Sequence, residues 1–136
     1  MNAQPDTIDR GTVIWQRLES LAIAATLLTV YVLSDAASHT SWWFFVFLLV
    51  LPDVTLLGYL FGTRYGAFLY NLGHTNIGPG AINIASLIVD VPTLLPIAFA
   101  WAIHIAIDRT LGYGIKSTKG FAFTHLSRIG KQKDTR

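Results

Sequence analysis

Formal charge is missing from this chain in four long runs: 15 residues between Glu19 and Asp35, 17 between Asp35 and Asp53, 25 between Arg64 and Asp90, and 17 between Asp90 and Asp108. A chain folding in water keeps charge on its surface, so runs of this length point to lipid. A helix crosses a bilayer with about 20 mostly apolar residues, and each run with its flanks approaches that length. The spacing predicts spanning helices at about 13 to 34, 41 to 61, 65 to 89 and 92 to 112. Composition agrees, because only 13% of residues are charged and 52% are hydrophobic, against roughly 25% charged in an ordinary soluble domain. Soluble globular and disordered chains are excluded. The absence of cysteine removes disulfides, thiolate metal sites and a cysteine nucleophile.

The expected fold is an all-α integral membrane bundle of four transmembrane helices over residues 1–112, followed by a basic cytoplasmic tail over 113–136. Trp15, Trp42 and Trp43 fall at span ends, where indoles favour the interface. Pro92 and Pro96 suit the first turns of the fourth span, where a missing N–H costs nothing. Asn76, Gly78, Pro79, Gly80 and Asn83 interrupt the third span, which is expected to be kinked or split into half-helices. The opening MNAQPDTIDR has no basic n-region, so no cleavable signal peptide is expected.

Charge also sets the topology. With four spans, the N-terminus, the 62 to 66 link and the tail share one side, and together they hold all ten lysines and arginines. The links around Asp35 to Thr40 and around Asp90 hold none, so the positive-inside rule puts both termini in the cytoplasm. The tail's six bases against Asp134 are explained by topology and by attraction to anionic headgroups of membrane lipids. No nucleic-acid partner is expected, since a bare basic tail carries no reading motif.

Ionisable groups inside hydrocarbon are expensive and mark function by default. Counting about 1.5 Å per residue from the basic helix ends, Glu19 lies roughly 9 Å deep, Asp53 and His104 about 12 Å, and His74 about 14 Å. These groups, with Asn71 and Asp108, are expected to line one cytoplasm-facing polar pocket. His104 and Asp108 are four apart on one helical face, and Asn71, His74 and Thr75 share another. Two imidazoles with carboxylates suit a divalent metal such as Zn, Mn or Fe, with His74, His104 and Asp108 as ligands and Asp53 beside them in catalysis. Arg109 and His125 are further candidates for the pocket, His125 by folding back over its mouth. There is no His-Glu-x-x-His pair to fix two ligands together.

Three functional classes stand open: a metal-dependent or acid–base membrane enzyme, a small transporter or proton-coupled carrier, and a structural or interaction protein. In the last, Glu19, Asp53 and Asp108 neutralise Arg17, Arg64 and Arg109 while the histidines bond between helices. A carrier would use a third helix broken at Gly78-Pro79-Gly80, and four helices would need a homodimer to form a path. A weak internal echo links Asp53-Val-Thr-Leu-Leu-Gly-Tyr59 to Asp108-Arg-Thr-Leu-Gly-Tyr113 with a one-residue gap. Walker, Rossmann, Gly-x-Ser-x-Gly and covalent haem motifs are absent.

An ordered series of motifs runs along most of the chain. It comprises Arg17-Leu18-Glu19, Pro52-Asp53, Leu57-Gly58-Tyr59, Gly66-Ala67, Tyr70-Asn71, His74-Thr75, Ala102-Ile103-His104, Asp108-Arg109 and Leu111-Gly112-Tyr113-Gly114, then Lys116, Gly120-Phe121 and Thr124-His125-Leu126. Over about residues 15 to 130 this series resembles the small bacterial membrane-protein family catalogued as domain of unknown function 4260. The resemblance implies a four-helix protein of the bacterial inner membrane, and it brings no activity.

Overall fold

The computed structural model describes residues 9–119 and Thr124. Among them the fold is all-helical, with no strand beyond a single antiparallel bridge between Lys116 and Thr124. Helix α1 spans Arg10–Leu33, and α2 spans Trp42–Val50 and continues as a 3-10 segment, Leu51–Phe61. Helix α3 is Thr63–Gly73, α4 is Ile77–Ile88, and α5 is Leu95–Leu111 after a 3-10 turn, Pro92–Leu94. Three of these are long and apolar enough to cross a membrane: Arg10–Leu33, Trp42–Phe61 and Pro92–Leu111.

The region over 65 to 89, expected to be kinked or split into half-helices, is two helices. The break falls at His74 to Asn76, just before the Gly-Pro-Gly cluster, and Pro79 sits inside the first turn of α4, where its missing N–H leaves no bond unmade. What stops α3 is a set of side chains that take its last carbonyls, described below. The opposite end of α4 closes on Asp90, which adopts φ 51 while the Val91 N–H donates to the Ser86 carbonyl at 3.1 Å. This is a Schellman closure built on an aspartate, one of the few non-glycine residues that visits left-handed backbone.

Exposure is inverted relative to a soluble protein. Trp15, Trp43, Leu33, Leu60, Phe61, Leu87 and Ile88 all point outward, an arrangement that suits lipid rather than water as the solvent. Helices meet instead through small and aromatic residues. On α1 the stripe Ser20, Ala24, Leu27, Tyr31 faces inward, and α1 packs chiefly on α5. Tyr31 stacks on Phe45 with ring centroids 3.9 Å apart, and Phe99, Leu48, Ala100 and Ile103 complete an apolar core. That core fills the half of the bundle remote from Arg17 and Arg109. The basic half is left to polar groups.

The 3-10 segment and α3 form a tight hairpin. Gly62 turns it with φ 112, and close packing depends on glycines: a Cβ at Gly58 would lie 2.8 Å from Leu69 Cδ1, and one at Gly73 would lie 2.7 Å from Thr55 Cγ2. At Gly66 a Cβ would overlap the Tyr59 ring. Small residues of this kind let helices approach where no hydrophobic effect drives them together.

Candidate metal centre

Asp53 follows Pro52 at the start of the 3-10 segment. Pro52 has no N–H for the preceding turn, and the Thr55 hydroxyl donates to its carbonyl at 2.7 Å, so α2 tightens there and Asp53 is turned inward. His74 is the C-terminal cap of α3. Its Nδ1–H donates to the Tyr70 carbonyl at 2.9 Å, while Trp101 Nε1 donates to the Gly73 carbonyl at 2.5 Å and Arg109 to the His74 carbonyl at 3.0 Å. Backbone released from a helix at membrane depth needs such partners. His104 and Asp108 lie one turn apart on α5, which ends at Gly112 with φ 95 and with the Tyr113 N–H on the Asp108 carbonyl at 2.8 Å.

These three elements bring four ligating side chains together. One ligand atom from each of Asp53, His74, His104 and Asp108 lies within 4.8 Å of the others. The two imidazole Nε2 atoms are 3.1 Å apart. From His74 Nε2 it is 3.6 Å to Asp53 Oδ1 and 3.5 Å to Asp108 Oδ2, and from His104 Nε2 it is 3.6 Å and 3.8 Å to the same oxygens. Burial is graded: the side chains of His74, His104 and Asp108 are 3%, 10% and 17% exposed, and that of Asp53 is 46%.

The spacing can be compared with a coordination sphere. Zinc bonds of about 2.0–2.2 Å in a tetrahedron give ligand–ligand edges of about 3.3–3.6 Å, whereas neighbouring ligands of an octahedron at the same bond length would be about 3.0 Å apart. Five of the six edges, 3.1 to 3.8 Å, lie near the tetrahedral value, and all four atoms fall within 4.8 Å of one another, so the residues fit an ion at their centre after a small inward adjustment. Because Nδ1 of His74 is committed to a carbonyl, its Nε2 is left with the lone pair that ligation requires. Around the centre, Tyr70 stacks on His74 at 3.8 Å and donates its hydroxyl to Asp108 at 3.2 Å. The segment after α5 folds back across α3. Asn71 donates to the Lys116 carbonyl at 2.9 Å and accepts from the Lys116 N–H at 2.7 Å, which holds the ammonium 5.0 Å from the Tyr70 ring centroid. Burial pushes the Lys116 ammonium below its ordinary pKa, with the charge of Asp108 opposing.

A family model described as domain of unknown function (DUF4260) matches residues 13–129. The chain belongs to that family. No curated protein and no solved structure matches it.

Within this DUF4260 chain the candidates taken from the sequence divide cleanly. Asp53, His74, His104 and Asp108 meet at one centre, and Arg109 borders it through the His74 carbonyl. Asn71 is close by but spends its amide on Lys116. Glu19 does not join them: it is exposed on the outer side of α1, among Trp15, Leu18 and Ile23. Glu19 was expected in the pocket from its distance along the helix, but it lies on another face of α1, since the small-residue stripe beginning at Ser20 faces inward. His125 lies outside the described residues. Arginine–carboxylate pairing was one of the readings left open; Arg17 donates to the Thr110 carbonyl at 2.7 Å, and both aspartates approach imidazoles. Sequence reasoning missed Lys116 as a neighbour of the site and Trp101 as the cap of α3. The Leu111-Gly112 helix stop was the available signal that the chain reverses toward α3. The two echoed segments each begin with an aspartate of the cluster.

Proposed function

We propose that this protein holds one divalent transition-metal ion on Asp53, His74, His104 and Asp108 and works as a metal-dependent membrane enzyme. The observation that carries the reading is the convergence of four potential ligand atoms from three separate elements within 4.8 Å of one another. Two nitrogens and two oxygens suit zinc, manganese or iron. When bound, such an ion supplies Lewis-acid activation of water or of a substrate oxygen. Asp53, the exposed ligand, marks the side on which substrate would arrive, while His74, His104 and Asp108 fix the ion from within.

Expressed with zinc, manganese and iron in the medium, the full chain purified in mild detergent is expected to carry close to one ion per molecule. A His74→Ala/His104→Ala variant is expected to carry less than a tenth of that, measured by elemental analysis. Equal content in both would end the metal reading. Protons compete for the same lone pairs, so the metal should also leave as the pH is lowered.

A second reading has its own support. The 3.1 Å contact between imidazoles is equally satisfied by an Nε2–H of His104 donating to His74 Nε2, giving a hydrogen-bonded lock without an ion. The tautomers differ, since ligation requires the proton of His104 on Nδ1. Nitrogen-15 spectra of labelled histidine, with and without zinc, separate the two.

The same proposal extends to the membrane. Helices α3 and α4, at 11 and 12 residues, are each shorter than the about 20 a crossing needs, and together they make the fourth crossing. Both termini then lie in the cytoplasm of a bacterial inner membrane, with every lysine and arginine on that side. Reporters fused within 35 to 40 and at the C-terminus are expected to read opposite sides, and a cytoplasmic signal from the link would overturn this topology.

A further inference from the structure

Residues adjoining the four ligands in sequence, though not the ligands themselves, line an open cavity of about 200 Å³ with an almost wholly apolar wall. Each ligand-bearing element supplies part of it next to its ligand: Pro52 precedes Asp53, Gly73 precedes His74, and Trp101 is one turn from His104. Farther along, Leu48 and Ile97 line its depth. The polar atoms in the wall are already spent, because the Trp101 N–H is on the Gly73 carbonyl and the Thr55 hydroxyl on that of Pro52. Nothing in it asks for water or for a polar group. An apolar cavity of about 150 Å³ holds benzene, so this one accommodates the first several carbons of a chain. Of the lining residues Leu51 is the exposed one, on a helix long and apolar enough to span, so we take the mouth to lie there, toward lipid.

We infer that the substrate is a membrane-dissolved amphiphile, whose oxygen-bearing head reaches the metal centre while the adjoining carbons of its apolar chain lie in this cavity. The inference rests on the metal reading and adds the substrate class. Its physical basis is placement rather than affinity. Lipid tails are as apolar as the cavity wall, so a chain gains little by moving from one to the other. The cavity instead aligns a molecule already in the bilayer so that its head meets the ion. A polar substrate arriving from water would leave such a cavity without a role.

The test uses the full chain in nanodiscs loaded with cobalt, whose visible spectrum reports a new ligand. Acetohydroxamic and octanohydroxamic acid share one metal-binding head and differ in chain length. Ile97 is seven residues from His104, about 10 Å along the helix, so Ile97→Trp fills the cavity without touching the ligands. Leu51→Trp plugs the mouth and serves if Ile97→Trp does not fold. In either variant, cobalt binding and acetohydroxamate affinity should stay within twofold of wild type, while octanohydroxamate affinity falls at least tenfold. Partitioning of the probe into the same nanodiscs cancels in that comparison. Equal loss for both probes, or none for octanohydroxamate, overturns the cavity's role and leaves the metal centre standing. Failure of the wild type to bind cobalt overturns both.

Discussion

Zinc at about a thousand times its dissociation constant is expected to stabilise the wild-type chain against unfolding by about 4 kcal/mol, and to leave a His74→Ala/His104→Ala variant unmoved. The ligands make this effect large. Asp53 and Asp108 are brought together only by the fold, so the unfolded chain offers zinc no comparable site, and binding free energy becomes folding free energy. The Tyr70 hydroxyl holds Asp108 in place at 3.2 Å, and partners of that kind are worth about 10–100-fold in metal affinity. Tyr70→Phe should therefore keep the response but reduce it by about 1.4–2.8 kcal/mol at the same zinc concentration. Thermal unfolding in mild detergent across a zinc titration measures all three. The hydrogen-bonded lock makes the opposite forecast: zinc does nothing to the wild type, and removing the imidazoles unfolds it outright.

The spans were legible because exclusion of charge from hydrocarbon is a property of the chain read in one dimension. It located helices at Arg10–Leu33, Trp42–Phe61 and Pro92–Leu111 to within a few residues of where the charge-poor runs put them. Counting residues along each helix brought Asp53, His74, His104 and Asp108 forward as candidates, and these four meet. Rotation about the helix axis was not legible in that count. Glu19 was expected in the pocket on the same count but lies on another face, and only the inward stripe of Ser20, Ala24, Leu27 and Tyr31 carries that information. The third charge-poor run was expected to be kinked or split where Asn76 to Asn83 interrupt it, and it is split at the near edge of that segment, where local breakers alone do not set the break. It is set by Trp101 and Arg109, which take the carbonyls of Gly73 and His74 from 28 and 35 residues away in sequence. Burial of Lys116 was likewise invisible, since it depends on a side-chain pairing with Asn71 across 45 residues.

The geometry of the metal centre should also be breakable from a site that touches none of its ligands. Gly66→Ala is expected to destabilise the protein by roughly 3 kcal/mol, the upper range for overpacking, and to lower zinc affinity at least tenfold. The added methyl would fall on the Tyr59 ring, overlapping three of its atoms at once. A ring buttressed by the helix that carries it has no flexible end to swing aside, so the 3-10 segment and α3 must separate. Asp53 and His74 sit at the far ends of these two elements, and their 3.6 Å approach depends on the hairpin staying closed. Replacing the ring should restore much of the loss. In a Tyr59→Leu/Gly66→Ala double variant the two effects are expected to be non-additive by about 1–3 kcal/mol. Gly80 provides the control: it is also helical, a Cβ there meets open space, and Gly80→Ala should leave zinc affinity unchanged. If Gly66→Ala behaves like Gly80→Ala, the hairpin does not set the distance between the two ligands. If only Gly66→Ala loses zinc, and Tyr59→Leu recovers it, the contact between two residues outside the site is what holds Asp53 within reach of the imidazoles.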